Sequence, residues 1–140
     1  MQVFIIGTPL ETAMALSKRH LNNQINEAKI ILDALNGAKA WSNHPCVLQY
    51  RGCEKWLDAY AECLKCWQAG DVEGARVANL RARQWVPTFH TEAYINQMKR
   101  RLYTKDEKFY FQYSGLGKSQ ENWYFVDNEW RKYINGKRIE

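Results

Sequence analysis

Apolar positions early in the chain recur at helical intervals. Leu21, Ile25, Ala28, Leu32 and Leu35 alternate spacings of four and three, which makes one stripe along a helix. Asn36-Gly37 closes that run, with Gly37 suited to the left-handed position after a helix end. Upstream, Thr8-Pro9-Leu10-Glu11 opens a helix, and the segment to about Arg19 is helix-permissive. Thr8 can cap it, Pro9 fits the first turn, and Glu11 completes a capping box. The run Val3-Phe4-Ile5-Ile6 ahead of it reads as a buried N-terminal segment. Asn43 and Pro45 begin a long helix whose stripe takes in Val47, Leu48, Trp56, Leu57, Tyr60, Leu64 and Trp67, ending at Gly70. Gly52 falls inside it, at a cost of about 1 kcal/mol relative to Ala.

Asp71 caps a shorter helix to about Arg83, stopped before Pro87, and Thr91 starts another to about Leu102. Thr104-Lys105-Asp106-Glu107 has the form of a second capping box leading into Phe109-Tyr110. After Gly115-Leu116-Gly117 the pattern changes. Trp123-Tyr124-Phe125-Val126 and Trp130-Arg131-Lys132-Tyr133-Ile134 are β-prone runs joined by Asp127-Asn128-Glu129, which predicts a hairpin or an irregular aromatic tail. The fold expected is mainly α: a compact single-domain helical bundle over 1–140. Its helical core spans about 8–113, and an aromatic, basic extension spans about 114–140. No repeat, low-complexity tract or linker interrupts it.

Charge sharpens this picture. The formal net charge of +5 is uneven. Residues 1–75 carry seven basic and eight acidic side chains, and residues 76–140 carry thirteen and seven. A basic half suits a polyanion such as nucleic acid, although ordinary solvated lysines would give the same totals. No apolar run approaches the roughly 18 residues of a membrane span. The apolar start is too short for a signal peptide and has no basic flank, so the expected compartment is cytoplasmic and the four cysteines are expected to be thiols.

Cys63-Leu64-Lys65-Cys66 has zinc-like spacing, but a structural zinc site needs four ligands. Cys46 and Cys53 precede it on the same expected helix, near one apolar face where cysteine acts as a small hydrophobe. Neither a metal nor another cofactor is expected. Phosphate-loop, nucleophile-elbow and His-Glu-x-x-His signatures are all missing from the sequence, which argues against a nucleoside triphosphatase, a serine hydrolase and a zinc protease.

The stretch His20-Leu21-Asn22-Asn23-Gln24-Ile25-Asn26-Glu27 is richest in candidate chemistry. Helical spacing puts Asn23, Glu27 and Ile30 on one side, with His20 and Gln24 on a neighbouring strip. Glu27 therefore borders the apolar stripe, where a carboxylate can do acid or base work. The plain alternative is a boundary glutamate that pairs with Lys29 or faces solvent.

Three blocks give the chain a resemblance. The first is Lys18-Arg19-His20-Leu21, then Gln24-x-x-Glu27-Ala28 and Ile31-Leu32. The second is Trp41-x-Asn43-His44-Pro45, then Leu48, Tyr50-Arg51-Gly52 and the run to Cys63-Leu64. The third is Pro87-x-Phe89-His90, then Lys105-Asp106-x-x-Phe109-Tyr110. In this order and spacing they resemble the phage and bacterial pyrimidine-dimer DNA glycosylases of the dimer-specific endonuclease V type.

The resemblance implies an all-helical DNA repair enzyme whose N-terminal α-amine attacks C1′ of a damaged nucleotide. A Schiff base forms, the base leaves, and β-elimination cuts the strand. It makes Glu27 the carboxylate that stabilises the sugar cation, with His20 the histidine before it. The nucleophile would be Met1, because the bulk of Gln2 leaves Met1 in place. An α-amine, with a reference pKa of about 8, is partly neutral at pH 7 and so can serve.

Candidate pocket residues are His20, Asn23, Gln24, Asn26, His44, Arg51 and His90. Candidate backbone contacts are Arg81, Arg83, Lys99, Arg100, Arg101 and Lys105. Asn26 and Ile30 stand where the family's best-known form has basic residues, so the amides Asn22, Asn23, Gln24 and Asn26 also suit a small nucleotide. The expected partner is thus damaged duplex DNA. The alternatives are a non-catalytic binder that sequesters a nucleotide or modified base, and a plain structural or DNA-coating protein.

Overall fold

The chain is described by a computed structural model covering residues 1–139. They group into two compact units, Met1–Thr88 and a second that begins at Phe89. The fold is mainly helical, with a small antiparallel sheet at the C-terminal end.

The first unit contains α1 (Pro9–Ala15), α2 (Lys18–Leu35), α3 (Pro45–Tyr50), α4 (Glu54–Gln68) and α5 (Val72–Ala82), followed by a 3-10 turn at Arg83–Trp85. The α4 helix is its centre. Trp56, Leu57, Ala59, Tyr60, Ala61, Cys63 and Leu64 are all buried, a band too wide for one neighbour, and α1, α2 and α5 pack around it. The capping box at Thr8 and Glu11 forms as the sequence indicates. Ahead of it the N-terminal segment is threaded into the core, with Val3, Phe4 and Ile5 nearly inaccessible.

The helix expected from Asn43 to Gly70 is two helices. Gly52 turns to a φ of +88° and ends the run between α3 and α4, so its place in the sequence marks a break and not a tolerated defect. His44 caps α3 in place of Asn43, its Nδ1 accepting from the Cys46 N–H at 3.1 Å.

The second unit holds α6 (Glu92–Lys105), a 3-10 helix at Phe111–Leu116, and strands β1 (Asn122–Val126), β2 (Glu129–Ile134) and β3 (Lys137–Ile139) in the order β1-β2-β3. The second capping box does not form. Thr104 lies inside α6 with its hydroxyl donated to Arg100 O at 2.7 Å, and Asp106 accepts the Phe109 N–H at 3.1 Å. The hairpin does form, with Trp123 opposite Lys132 and Phe125 opposite Trp130. Asp127 and Asn128 both take positive φ at its turn. Asn135-Gly136 makes a second such turn and adds β3, a strand the sequence reading did not anticipate.

Candidate functional site

Three helices of the first unit converge on the N-terminal segment. Gln24 and Glu27 lie one turn apart on α2, so their side chains share a face. Both groups of the Gln24 amide serve main chain: Oε1 accepts the Phe4 N–H at 2.8 Å, and Nε2 donates to Gln2 O at 2.9 Å. Nε2 also lies 3.1 Å from Glu27 Oε2. From α4, the Tyr60 hydroxyl reaches Phe4 O at 2.7 Å and Gln24 Oε1 at 3.0 Å, so its one proton serves two acceptors. Gln24 and Tyr60 are buried. They clamp the segment much as a neighbouring strand would.

The clamp delivers the first residues to Glu27. The Gln2 N–H donates to Glu27 Oε2 at 3.1 Å. Covalent geometry then holds the α-amine of Met1, one peptide unit upstream, within about 7 Å of that oxygen. On the other side stands the start of α3. Burial, and next the positive charge of the N-terminal amine, hold the His44 imidazole below its ordinary pKa. Burial pushes the Cys46 thiol up to about 12; the same amine opposes that shift and Glu27 adds to it. The amine, Glu27, His44 and Cys46 therefore share one electrostatic neighbourhood. Since His44 Nδ1 accepts from Cys46, a neutral His44 carries its proton on Nε2. The indole of Trp41 meets the His44 ring edge-on at 5.9 Å.

Other residues of interest lie elsewhere. His20 is buried at the start of α2, its Nε2 3.5 Å from the Arg19 guanidinium. Asn23 and Asn26 are exposed on α2. Arg51 follows α3 and lines an open cavity with Lys39. Arg81 pairs with Asp58 at 3.8 Å, and Arg83 is exposed on the 3-10 turn.

The remaining candidates belong to the second unit. His90 stacks on Tyr94, ring centres 5.7 Å apart, and burial pushes its pKa down to about 3. Lys99 sits over the Tyr113 ring at 5.6 Å. Arg100 donates to Leu116 O at 3.0 Å, and Arg101 donates to Ser119 O and Asn122 Oδ1. These two guanidinium groups tie down the chain that leads into β1. Lys105 is exposed.

Sequence reasoning overlooked Tyr60 and Lys39 and used Trp41 only within a motif. Tyr60 looked like one more apolar stripe residue, and a phenol at a fully buried stripe position is the signal that could have marked it. All four cysteines are free thiols, with Cys46 and Cys63 buried. Among the described residues, no three His, Cys, Asp or Glu side chains are grouped to hold a metal ion. No helix among them is long and apolar enough to cross a membrane.

Residues 1–66 match the family model described as pyrimidine dimer DNA glycosylase. The match takes in the N-terminal segment, α2, α3 and most of α4, hence every residue of the cluster around Glu27. Two of the three resemblance blocks lie within it, and the block from Pro87 to Tyr110 lies beyond. No curated protein and no solved structure matches the chain.

Proposed function

We propose that the first unit carries a DNA glycosylase and AP-lyase centre with the α-amine of Met1 as nucleophile and Glu27 as the catalytic carboxylate. The observation that carries this reading is the Gln2 N–H on Glu27 at 3.1 Å, which keeps the α-amine of Met1 within about 7 Å of a carboxylate held by Gln24. The family match over the same residues supports the substrate class, pyrimidine-damaged DNA.

In the first step the neutral amine attacks C1′, and the base departs with the electrons of its glycosidic bond and a proton. Glu27 faces the positive charge that develops at C1′, where a nearby carboxylate is most effective. The amine nitrogen then forms the C=N bond as the ring oxygen leaves C1′ and is protonated. Loss of a proton from C2′ expels the 3′ phosphate. In this reading Glu27 accepts and returns the protons. Gln24 and Tyr60 are positioning residues, since they hold the segment and not the substrate.

Borohydride trapping on a duplex with one abasic site or one pyrimidine dimer tests the proposal. Mass analysis should locate the adduct on Met1. Glu27→Gln should slow base release and trapping by about 10²–10⁴-fold, with DNA affinity nearly unchanged, because the amide keeps the shape and loses the charge. Trapping at the wild-type rate by Glu27→Gln, or no trapping by the wild type on any lesion, would overturn the reading. The exposed neutral amides of Asn23 and Asn26 on α2 favour a second reading, a binder that sequesters a small nucleotide. That binder would take up a nucleotide with little salt dependence, whereas binding to DNA phosphates weakens steeply as salt rises.

A further inference from the structure

The connection from α2 to α3 contains an expensive residue. Trp41 adopts a φ of +66°, a conformation that a bulky side chain rarely takes. Its indole is 55 % exposed, so burial does little to offset the strain. Its ring touches His44, which shares the surroundings of the N-terminal amine. An uncovered indole is thus held at the edge of the proposed reaction centre.

The same connection, with the C-terminal end of α2, lines an open cavity of about 370 Å³ whose lining includes Ser42, the residue after Trp41. Ala34 and Leu35 line one part, and Lys39, Ser42 and Arg51 supply its polar side chains. Lys39 and Arg51 are exposed, and neither makes an ion pair with a described residue. Two cations without an ion pair among the described residues, a hydroxyl, and an exposed indole on the residue next to the lining Ser42 are the chemistry of a nucleotide: charge for its phosphate, a ring for its base.

We infer that this cavity is a second nucleotide subsite, holding a phosphate of the DNA strand on Lys39 and Arg51 and stacking a base on Trp41. The inference rests on the proposed function for the identity of the strand. Ala34 follows Glu27 by seven residues, so it lies on nearly the same face of α2 and about 10.5 Å further along the axis. One strand of a duplex advances about 3.4 Å per nucleotide along its axis, so the phosphate belongs to a nucleotide within about three of the reacting sugar. The openness of the cavity favours a strand running past over a free nucleotide, which is usually enclosed.

Binding of an abasic-site duplex at several salt concentrations, alongside borohydride trapping by the wild type, provides the test. Lys39→Ala and Arg51→Ala should each lower the slope of log affinity against log salt by about one. Trp41→Ala should weaken binding about five- to a hundred-fold with the slope unchanged, and Trp41→Phe should restore most of it. Because all three side chains are exposed, the variants should melt like the wild type. Wild-type slopes in both charge variants, with Trp41→Ala within twofold of wild type, overturn the subsite. If the wild type still traps in that case, the proposed reaction survives without it. If the wild type binds the duplex through Trp41 and Arg51 but never traps, the reaction fails and the subsite stands. Saturable binding of thymidine monophosphate that Arg51→Ala abolishes, with no binding to DNA, overturns the strand assignment in favour of a free nucleotide.

Discussion

Gln2 occupies a costly position. Its main chain is fully engaged by Gln24 and Glu27, yet its side chain is buried with neither Nε2 nor Oε1 hydrogen-bonded. An orphaned buried amide costs about 1–3 kcal/mol relative to a satisfied or apolar one. Gln2→Leu removes both polar atoms, keeps a similar length and leaves Met1 in place. It should therefore stabilise the protein by about 1 kcal/mol in urea denaturation. A loss of stability would mean that the amide has a partner in solution. Legibility was uneven at this scale. The place of Glu27 beside the apolar stripe followed from helical spacing alone. The role of Gln24 did not, because spacing shows where a side chain sits on its own helix and not which distant main chain it will satisfy. The same holds for Tyr60, whose acceptor on Phe4 is 56 positions away.

Helix-to-helix packing turns on one glycine. Gly74 is the third residue of α5, where its N–H donates to the capping carboxylate of Asp71 at 2.9 Å. A Cβ built there would collide with that carboxylate and lie 2.9 Å from Cys66 Sγ of α4. Helix propensity alone would make Gly74→Ala a gain of about 1 kcal/mol. The collision should reverse the sign, for a net loss of about 1–2 kcal/mol through the strained cap and the displaced helix. Thermal melting of the variant checks this; a rise in the melting temperature would show that α5 can move away freely. Elements with a local signal were legible: the box at Thr8, the Asp71 cap, the hairpin of two β-prone aromatic runs. Other readings failed for physical reasons. Gly52 looked like an interior defect because the stripe on either side of it kept nearly the same phase. Thr104 passed for a cap because its four-residue pattern fits a helix start, while in the structure its hydroxyl bonds back to Arg100 within α6.

Acid should destabilise both units of the molecule. Burial lowers the pKa of His44 in the first unit and of His90 in the second, the latter to about 3. Each ring is therefore neutral in the fold and gains a proton more readily when unfolded. For His90 the stability is fully present above pH 6.5 and is lost as pH falls from 6.5 toward 3. Between pH 7 and 5 the loss should be about 1 kcal/mol once solvent screening of the part-exposed ring is allowed for. That corresponds to a fall of several degrees in melting temperature, roughly 4–8 °C for a small unit. His90→Phe keeps a ring against Tyr94 and should flatten this dependence. An unchanged slope in His90→Phe would place the acid sensitivity elsewhere.

The buried start of the chain also has a consequence during synthesis. The segment from Gln2 to Phe4 is made before the groups that fasten it: Gln24 comes 20 residues after Phe4 and Tyr60 comes 56 residues after it. At about 5–20 residues per second, the first atom of the chain spends several seconds untethered while the rest is made. Enzymes that deformylate, trim or acetylate nascent chains can reach the Met1 amine during that interval. Once α4 emerges and Tyr60 engages, the fold takes the terminus in. On the proposed mechanism, the amine would be kept only where α2 and α4 close over the segment before processing reaches it.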